Sequence, residues 1–315
     1  MNTPTVSLLI AAYKQSRELT RVLPRLVAQD YPAAIEFVIC DDGSRSGTLA
    51  CIRKWQREAN IRYIWQPDLG FRLARSRNNG LRCATGELII CLDADAVVGR
   101  DFIARHAAAH SGSSSLVCGG RKRLFARELG NTAVDTELTT LLTCPERLQR
   151  LRSDDLFQLK YARSANPWVA CVGANFSFTR RSHDLFFDEK FVGWGCEDQE
   201  FACRLWKRHG YRITVETTVT AVQIEWGSPR RFTNMRPRTQ TEILQYLGNL
   251  LHFVDLYPDV DTSPLWNGLA FYVYDKSRDR WTVAAEPRFE RAHIEGAICA
   301  AREWVSRRQA QAGGS

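Results

Sequence analysis

Through its first third the chain alternates short β-rich runs with amphipathic helical patterns, and few architectures accept that rhythm. Residues 6–11, 35–40, 61–65 and 88–92 read as strands, the last being the most apolar. Between them Leu19, Val22, Leu23, Leu26 and Val27 recur at helical spacing, Leu49, Ile52, Trp55 and Ala59 mark a second helix, and a third runs over about 72–84. Strand, helix, strand in this order predicts an α/β fold built on a parallel sheet. In such an open sheet, ligands bind outside the carboxyl ends of the strands. Three of the strands end in polar clusters, Ala11-Ala12-Tyr13, Asp41-Asp42-Gly43-Ser44 and Asp93-Ala94-Asp95, which should converge on one crevice.

Beyond Gly119-Gly120 the pattern changes. A polar stretch over 124–166 looks helical, 169–171 and 175–179 read as strands, 198–209 as a helix closed by Gly210, and 211–216 as another strand. From 227 onward Pro229, Pro237, Pro258 and Pro264 interrupt the pattern, and a terminal helix is expected over 290–308. No internal repeat or low-complexity linker divides the chain. These shifts place one main domain over 1–226 and an extension over 227–315, helical at its end.

The 315 residues, 44% of them hydrophobic, suffice for a large core without covalent staples. The ten cysteines are scattered, without a CxxC pair and several within apolar strands, so buried thiols are expected rather than a disulfide framework. A net charge of +8 favours anionic partners without choosing among nucleic acid, lipid headgroups and phosphorylated substrates. Basic residues gather at Arg121-Lys122-Arg123, Arg230-Arg231, and Arg236 with Arg238, but no long run or nucleic-acid motif forms, and no nucleic-acid partner is expected. The first residues enter a strand with no basic leader, and no apolar run approaches the roughly 20 residues of a membrane span. A cytoplasmic protein is the expectation, with peripheral membrane association through the C-terminal Arg230, Arg231, Trp266, Tyr272 and Tyr274 left open beside plain packing of those aromatics.

The chemistry centres on Leu88-Ile89-Ile90-Cys91-Leu92 and the Asp93-Ala94-Asp95 that follows. Two alternate carboxylates at a strand end are oxygen ligands for a hard cation, Mg2+ or Mn2+, usually shared with phosphate. A departing diphosphate would gain charge neutralisation there. Taken alone, the pair is equally an ordinary strand-end turn. Tyr13, whose ring could stack on a base, and Asp41 and Asp42, which could accept an imide N–H, read in isolation rather as parts of ordinary turns. Their position gives them weight, since they end neighbouring strands.

Between these elements lies a basic helix start, Gly70-Phe71-Arg72-Leu73-Ala74-Arg75-Ser76-Arg77-Asn78-Asn79-Gly80. The order Ala-Ala-Tyr at 11–13, Asp-Asp-Gly-Ser at 41–44, Gly-Phe-Arg-Leu-Ala-x-x-Arg-Asn at 70–78, Gly86-Glu87 and Asp-Ala-Asp at 93–95 resembles glycosyltransferase family 2 across most of residues 4–120. Further on, Val172-Gly173-Ala174-Asn175-Phe176-Ser177-Phe178 and Phe191-Val192-Gly193-Trp194-Gly195-Cys196-Glu197-Asp198-Gln199-Glu200 are similar to the acceptor-side motif of members with a galactosyltransferase-type C-terminal region, chondroitin-polymerase-like enzymes among them, over roughly 168–226.

The resemblance implies a GT-A fold, Rossmann-like, in a single catalytic domain with a C-terminal extension; 1–120 would be the donor nucleotide-binding half and 168–226 the acceptor and catalytic half. It implies inverting transfer of a hexose or N-acetylhexosamine from a UDP-sugar to a hydroxyl of a glycan, or alternatively of a peptide or small molecule. Ala11, Tyr13, Asp41, Asp42, Arg72, Arg77, Asp93 and Ala94 would serve the donor nucleotide, with Arg77 steadying the pyrophosphate or an acidic loop; Asp95 with Asp93 would hold Mn2+ or Mg2+. Gly119-Gly120-Arg121 looks like a further element near the donor sugar.

An inverting transfer needs a base for the acceptor proton, and Asp198 matches the family's catalytic aspartate. Glu197 would orient the acceptor, Trp194 would offer a flat face to a sugar ring, and Gly193 and Gly195 would permit a mobile loop. Acids at 197 and 198 also suit the first turn of a helix on their own. One departure stands out: many relatives carry a metal-binding histidine after the next strand, where this chain has Val222-Gln223-Ile224-Glu225-Trp226. Gln223 or Glu225 would supply an oxygen ligand instead, or Asp95 and the diphosphate would hold the metal alone. A nucleotidyltransferase would want a glycine-rich, lysine-bearing loop where Ala11-Ala12-Tyr13-Lys14-Gln15-Ser16 stands without glycine. A sugar-nucleotide-binding relative without catalysis is the rival that the missing histidine keeps open.

Overall fold

A computed structural model describes residues 3–45, 47–112, 115–129, 131–226, 239–284 and 288–313; Arg230, Arg231, Arg236, Arg238, Pro229 and Pro237 lie outside the described residues. The four expected strands form as β1 (Val6–Ala12), β2 (Ile35–Asp41), β3 (Ile61–Trp65) and β4 (Leu88–Asp93), paired in parallel in the order β3-β2-β1-β4. The sheet continues with β5 (Ala96–Val98), β6 (Leu116–Phe125), β7 (Arg152–Ser153), β8 (Asn175–Thr179) and β9 (Ile213–Glu225), in the order β4-β8-β6-β9-β5 with β7 against β6. β8 runs antiparallel to both β4 and β6, whereas β6 and β9 are parallel.

The apolar runs are continuous because both faces of the sheet are covered. Leu8, Ile10, Phe37, Ile39, Ile90 and Leu92 point to one face and join the helix Ser16–Val27 through Leu19, Val22, Leu23 and Leu26. On the other face, the helix Leu73–Cys83 comes so close that a Cβ on Gly80 would lie 2.3 Å from Cys40 Sγ and 3.4 Å from Leu9 and Val38. None of the ten cysteines joins a disulfide, and six are buried.

Three expectations need correction. Residues 169–171 are no strand: Pro167–Ala170 is a 3-10 turn, with Pro167 setting its first dihedral and Trp168 fully buried beneath it. The strand expected at 211–216 runs on to Glu225, because β9 keeps pairing with β6 past a bulge at Gly119/Gly120. Both glycines are required there, since a Cβ on Gly119 would meet Asn175 and one on Gly120 would meet the Thr217 carbonyl. The terminal helix is Ile298–Gly313, preceded by 3-10 turns at Arg291–His293 and Glu295–Ala297 rather than starting at 290. The polar stretch over 124–166 does hold helices, Asn131–Thr143, Pro145–Gln149 and Asp155–Ala162.

The described parts of Met1–Asp68, Ser76–Phe186 and Ala202–Phe232 form one compact unit, which contains the whole large sheet. Leu69–Arg75, Phe187–Phe201 and Thr233–Ser315 form the second. Its spine is the helix Gln240–Leu256, started by a capping box in which Thr239 and Glu242 each accept from the other's backbone N–H. Gly248 lets the helix Ile298–Gly313 close on it, for a Cβ there would lie 2.4 Å from Val305. The hairpin β10 (Tyr272–Asp275) and β11 (Arg280–Val283) completes this unit. No helix among the described residues is long and apolar enough to cross a membrane.

The tight seat of Gly80 gives a direct check on the fold. Gly80→Ala should lower the melting temperature by about 3–6 °C, overpacking outweighing the gain in helix propensity. Adding Cys40→Ala should recover part of that loss, a coupling that differential scanning calorimetry on the two single variants and the double variant would resolve.

Candidate active site

The register of the parallel strands brings three of the expected clusters side by side. Ala12 pairs with Asp41 and Ala11 with Asp93, so β1, β2 and β4 end level. Beyond the last pairs, the Asp42 N–H donates to the Ala12 carbonyl and the Ala94 N–H to the Ala11 carbonyl, both at 2.9 Å. Ala11 and Ala94 are buried and act through their backbones. A fourth strand end joins them, the Gln66-Pro67-Asp68 that follows β3. Sequence reasoning stopped at three clusters, although polar residues straight after a β-rich run are the same signal.

Within this edge the side chains divide into supports and free faces. Asp41 is fully buried and used on both oxygens: Oδ1 accepts from the Ser44 N–H at 2.7 Å and Oδ2 from the Tyr63 hydroxyl at 2.7 Å. The same bond to Asp41, after burial, pushes the Tyr63 hydroxyl pKa up. Asp42 accepts from Gln66 Nε2 at 2.6 Å. Tyr13 is 40% exposed, with its hydroxyl donating to Asp68 at 3.0 Å and Lys14 over its ring at 4.3 Å. Its aromatic face is thus held at the strand end within reach of a planar ligand.

The carboxylate pair sits beside this platform. Arg77, 1% exposed, donates to the Gly173 carbonyl at 2.8 Å and lies 3.4 Å from Asp93 Oδ1, fixing the end of β4. Asp95 is half-buried and receives Gln223 Nε2 at 3.3 and 3.2 Å on its two oxygens, because Gln223 lies opposite Ala96 in the β5–β9 pairing. Desolvation first, and then the like charge of Asp93, push the Asp95 carboxyl up to about 7. Of the two oxygen donors considered in place of histidine, Glu225 is engaged by Arg123 at 2.8 Å, and Arg123 also holds Asp154 at 2.9 Å. Burial draws Arg123 down to about 10 while those carboxylates work the other way. Asp154 receives Arg121 as well, so Arg121 serves this buried ion cluster. The cluster was not legible beforehand, because Asp154 lies in a polar stretch with no strand-end signal.

Mg2+ and Mn2+ fit this donor set in kind: two adjacent carboxylates whose mutual repulsion a dication would relieve, with an amide alongside. Among the described residues, no group of three or more His, Cys, Asp or Glu side chains is placed to hold a metal, so water and phosphate oxygens would complete the shell.

In the second unit, Asp198 and Glu197 open the helix Glu197–His209 and are nearly buried, at 8% and 7% exposure. The loop before them is unusual: Gly193, Gly195 and Cys196 all have positive φ, at 75°, 100° and 72°. It is not the loosely held hinge its glycines suggest. The Gly193 N–H donates to the Phe71 carbonyl at 2.9 Å, the Trp194 N–H to Gln245 Oε1 at 2.9 Å, and Asn249 Nδ2 to the Gly195 carbonyl at 2.8 Å. A Cβ on Gly195 would lie 2.6 Å from the Tyr246 ring, which also stands 5.7 Å from that of Trp194. Glu200, one turn on, accepts from the Tyr257 hydroxyl at 2.7 Å. Arg72 belongs to this unit too and is buried.

The raised Asp95 carboxyl has a consequence for stability. Its folded pKa lies above its unfolded value, so ionisation costs the folded state progressively from about pH 4 to about pH 7 and levels off above. With a chelator present, Asp95→Asn should therefore melt about 2–5 °C higher than the parent protein at pH 8. The advantage should shrink on acidification through that window and vanish below it, which melts over the range would check.

Comparison with known proteins agrees with this architecture. The family model of glycosyl transferase family 2 matches residues 7–186. Validoxylamine A glucosyltransferase of Streptomyces hygroscopicus subsp. limoneus is 30% identical over 283 residues, covering 84% of this chain and 59% of that protein. Chondroitin synthase of Pasteurella multocida (strain Pm70) is 26% identical over 223 residues, covering 64% of this chain and 23% of that protein. The chain thus spans well under two thirds of the length of either relative. The solved structure of mannosyltransferase PcManGT from Pyrobaculum calidifontis, in complex with GDP-Man and Mn2+, covers 100% of this chain and 76% of its own at a TM-score of 0.53 and 17% identity, a likeness of fold. Since the family match spans β1 to β8 and takes in Asp93 and Asp95, the chain belongs to glycosyl transferase family 2, with the GT-A fold.

Proposed function

We propose that the protein transfers a hexose or N-acetylhexosamine from a UDP-sugar to a hydroxyl of a glycan, with inversion at the anomeric carbon. The observation that carries this reading is the level ending of β1, β2 and β4, which sets Tyr13, Asp42 and the Asp93/Asp95 pair along one edge. Tyr13 gives a base a face to stack on, and Asp42 gives an imide N–H an acceptor. Asp41 works behind them as the brace of the turn, and Arg77 as the brace of Asp93. Asp95 and Asp93, with Gln223 alongside, would hold Mn2+ or Mg2+, which when bound offsets the charge of the diphosphate.

Asp198 is the proposed base. Its carboxylate takes the proton of the acceptor hydroxyl as that oxygen bonds to the anomeric carbon, while the bond from that carbon to the diphosphate oxygen breaks and its electron pair leaves with the nucleotide. Glu197 orients the acceptor, and the Trp194 ring packs on a sugar. The chondroitin synthase likeness favours a glycan acceptor, and the validoxylamine A glucosyltransferase likeness favours a small-molecule one as the second reading. Peripheral membrane contact through the C-terminal region belongs to the proposal as well; it rests on the sequence charge and aromatics alone.

A panel of UDP-, GDP- and TDP-sugars, titrated with and without Mn2+, tests the donor half. One UDP-sugar should bind in a metal-dependent way, and Asp95→Ala should abolish that dependence. Asp198→Asn should keep donor affinity and lower kcat by about 100- to 10,000-fold. Failure of every nucleotide sugar to bind would sink the transferase reading for this chain, and unchanged turnover in Asp198→Asn would remove Asp198 as base.

A further inference from the structure

One amide at the carboxylate edge is oriented against the role that its place beside Asp95 suggests. Gln223 sits between two paired strands, opposite Arg123 on β6 and opposite Ala96, the residue after Asp95, on β5. Directly paired residues share a face of the sheet, so the Gln223 and Arg123 side chains lie on the same face. The Asp95 carbonyl accepts from the Ile224 N–H at 2.9 Å and ties the turn before β5 to β9. Gln223 is thereby placed between a guanidinium and a carboxylate: Arg123 Nη1 donates to its Oε1 at 3.4 Å, and its Nε2 donates to Asp95 Oδ1 and Oδ2 at 3.3 and 3.2 Å.

The charges on either side fix which way the amide points. A guanidinium only donates and a carboxylate only accepts. Turning the amide over would set its NH2 against Arg123 and its oxygen against Asp95, replacing charge-assisted contacts by repulsive ones. Arg123 is itself held in place by Asp154 at 2.9 Å and Glu225 at 2.8 Å. The Gln223 oxygen is therefore turned to Arg123, and what the amide offers the carboxylate is an N–H group at nearly equal distance from both oxygens. Such a bond is strongest while the carboxylate carries its full charge. A dication on the same carboxylate draws that charge off, so the bond and the metal oppose each other, each weakening the other by the same factor.

We infer that Gln223 opposes metal binding at Asp95: it is no ligand, and its N–H sets the cation concentration at which the site fills. The inference rests on the reading of Asp93 and Asp95 as the metal site and adds that the shell takes no oxygen from Gln223. It also gives Arg123 a part in the site, as the group that orients the amide.

The test is titration of the full chain with Mn2+ in the presence of UDP, with the free ion counted by electron paramagnetic resonance. Gln223→Met removes the N–H and nearly keeps the volume, and Arg123 retains both of its carboxylates, so the variant should fold. It should bind Mn2+ about three- to tenfold more tightly than the parent protein. Removal of an oxygen ligand would do the reverse. Equal or weaker Mn2+ binding in a variant that melts cooperatively would overturn the inference. The parent protein gives a second reading that needs no variant: Mg2+ added to the UDP-bound chain should move the Gln223 side-chain N–H protons upfield in its nuclear magnetic resonance spectrum, as their hydrogen bond weakens. Coordination through the amide oxygen would move them downfield, and a downfield shift or none would also overturn the inference. Absence of Mn2+ binding by the parent protein would instead overturn the metal reading itself, so the two failures are distinguishable.

Discussion

The register of β1 between β2 and β4 is the constraint on which the strand-end edge depends. β1 has no freedom to slide, because Val6, Leu8 and Ile10 face one helical layer while Leu9 faces the other, and a slip of one residue would exchange them. Pairing on both sides then sets Ala12 against Asp41 and Ala11 against Asp93. The positions of the side chains proposed for the site at this edge are therefore decided by aliphatic packing some distance away. Buried braces finish the job: Arg77 on Asp93, Ser44 and Tyr63 on Asp41. A platform of this kind is preorganised, since its polar groups are oriented before a ligand arrives.

Preorganisation has a cost that the carboxylate pair makes visible. Asp95 is desolvated and faces the charge of Asp93, with the Gln223 amide on both of its oxygens to soften the repulsion. Arg77 lies 3.4 Å from Asp93 Oδ1, and Arg123 is committed to Glu225 and Asp154. A dication held there, as proposed for Mn2+ or Mg2+, would relieve the repulsion that raises the Asp95 carboxyl.

How much of this was legible in the sequence follows from the kind of signal each part carries. The parallel half could be read strand by strand, because buried strands are continuous apolar runs and each ends in polar residues. Asp93 and Asp95 were marked by the strand before them. The length of β9 was hidden, because Thr214 to Thr220 mixes polar and apolar residues and its pairing with β6 depends on a bulge at distant glycines. Residues 169–171 look like a strand by composition, but Pro167 and the burial of Trp168 impose a turn. The commitment of Glu225 to Arg123 could not be seen either, since their partnership spans 102 positions. Sequence pattern reports local structure and which face is buried; it does not report which charges find each other.

The loop before Asp198 carries this lesson furthest. Two glycines in a Gly-Trp-Gly run invite the reading of a hinge, and their positive φ angles do require glycine. But Cys196, a residue with a Cβ, is left-handed as well, a conformation that costs on the order of 1 kcal/mol and persists only where the surroundings enforce it. The surroundings are explicit: Cys196 is buried against Tyr246, whose hydroxyl is anchored to the Leu265 carbonyl at 2.6 Å, and the two residues before it are held by Gln245 and Asn249. The strain therefore turns the chain sharply into the helix at Glu197, so that both acids emerge from the first turn in a fixed direction. Glycine here supplies conformational reach, and the helix Gln240–Leu256, drawn from what sequence alone marks as an extension, supplies the rigidity. The base role proposed for Asp198, meeting a hydroxyl in line with a breaking bond, needs that rigidity more than it needs a hinge.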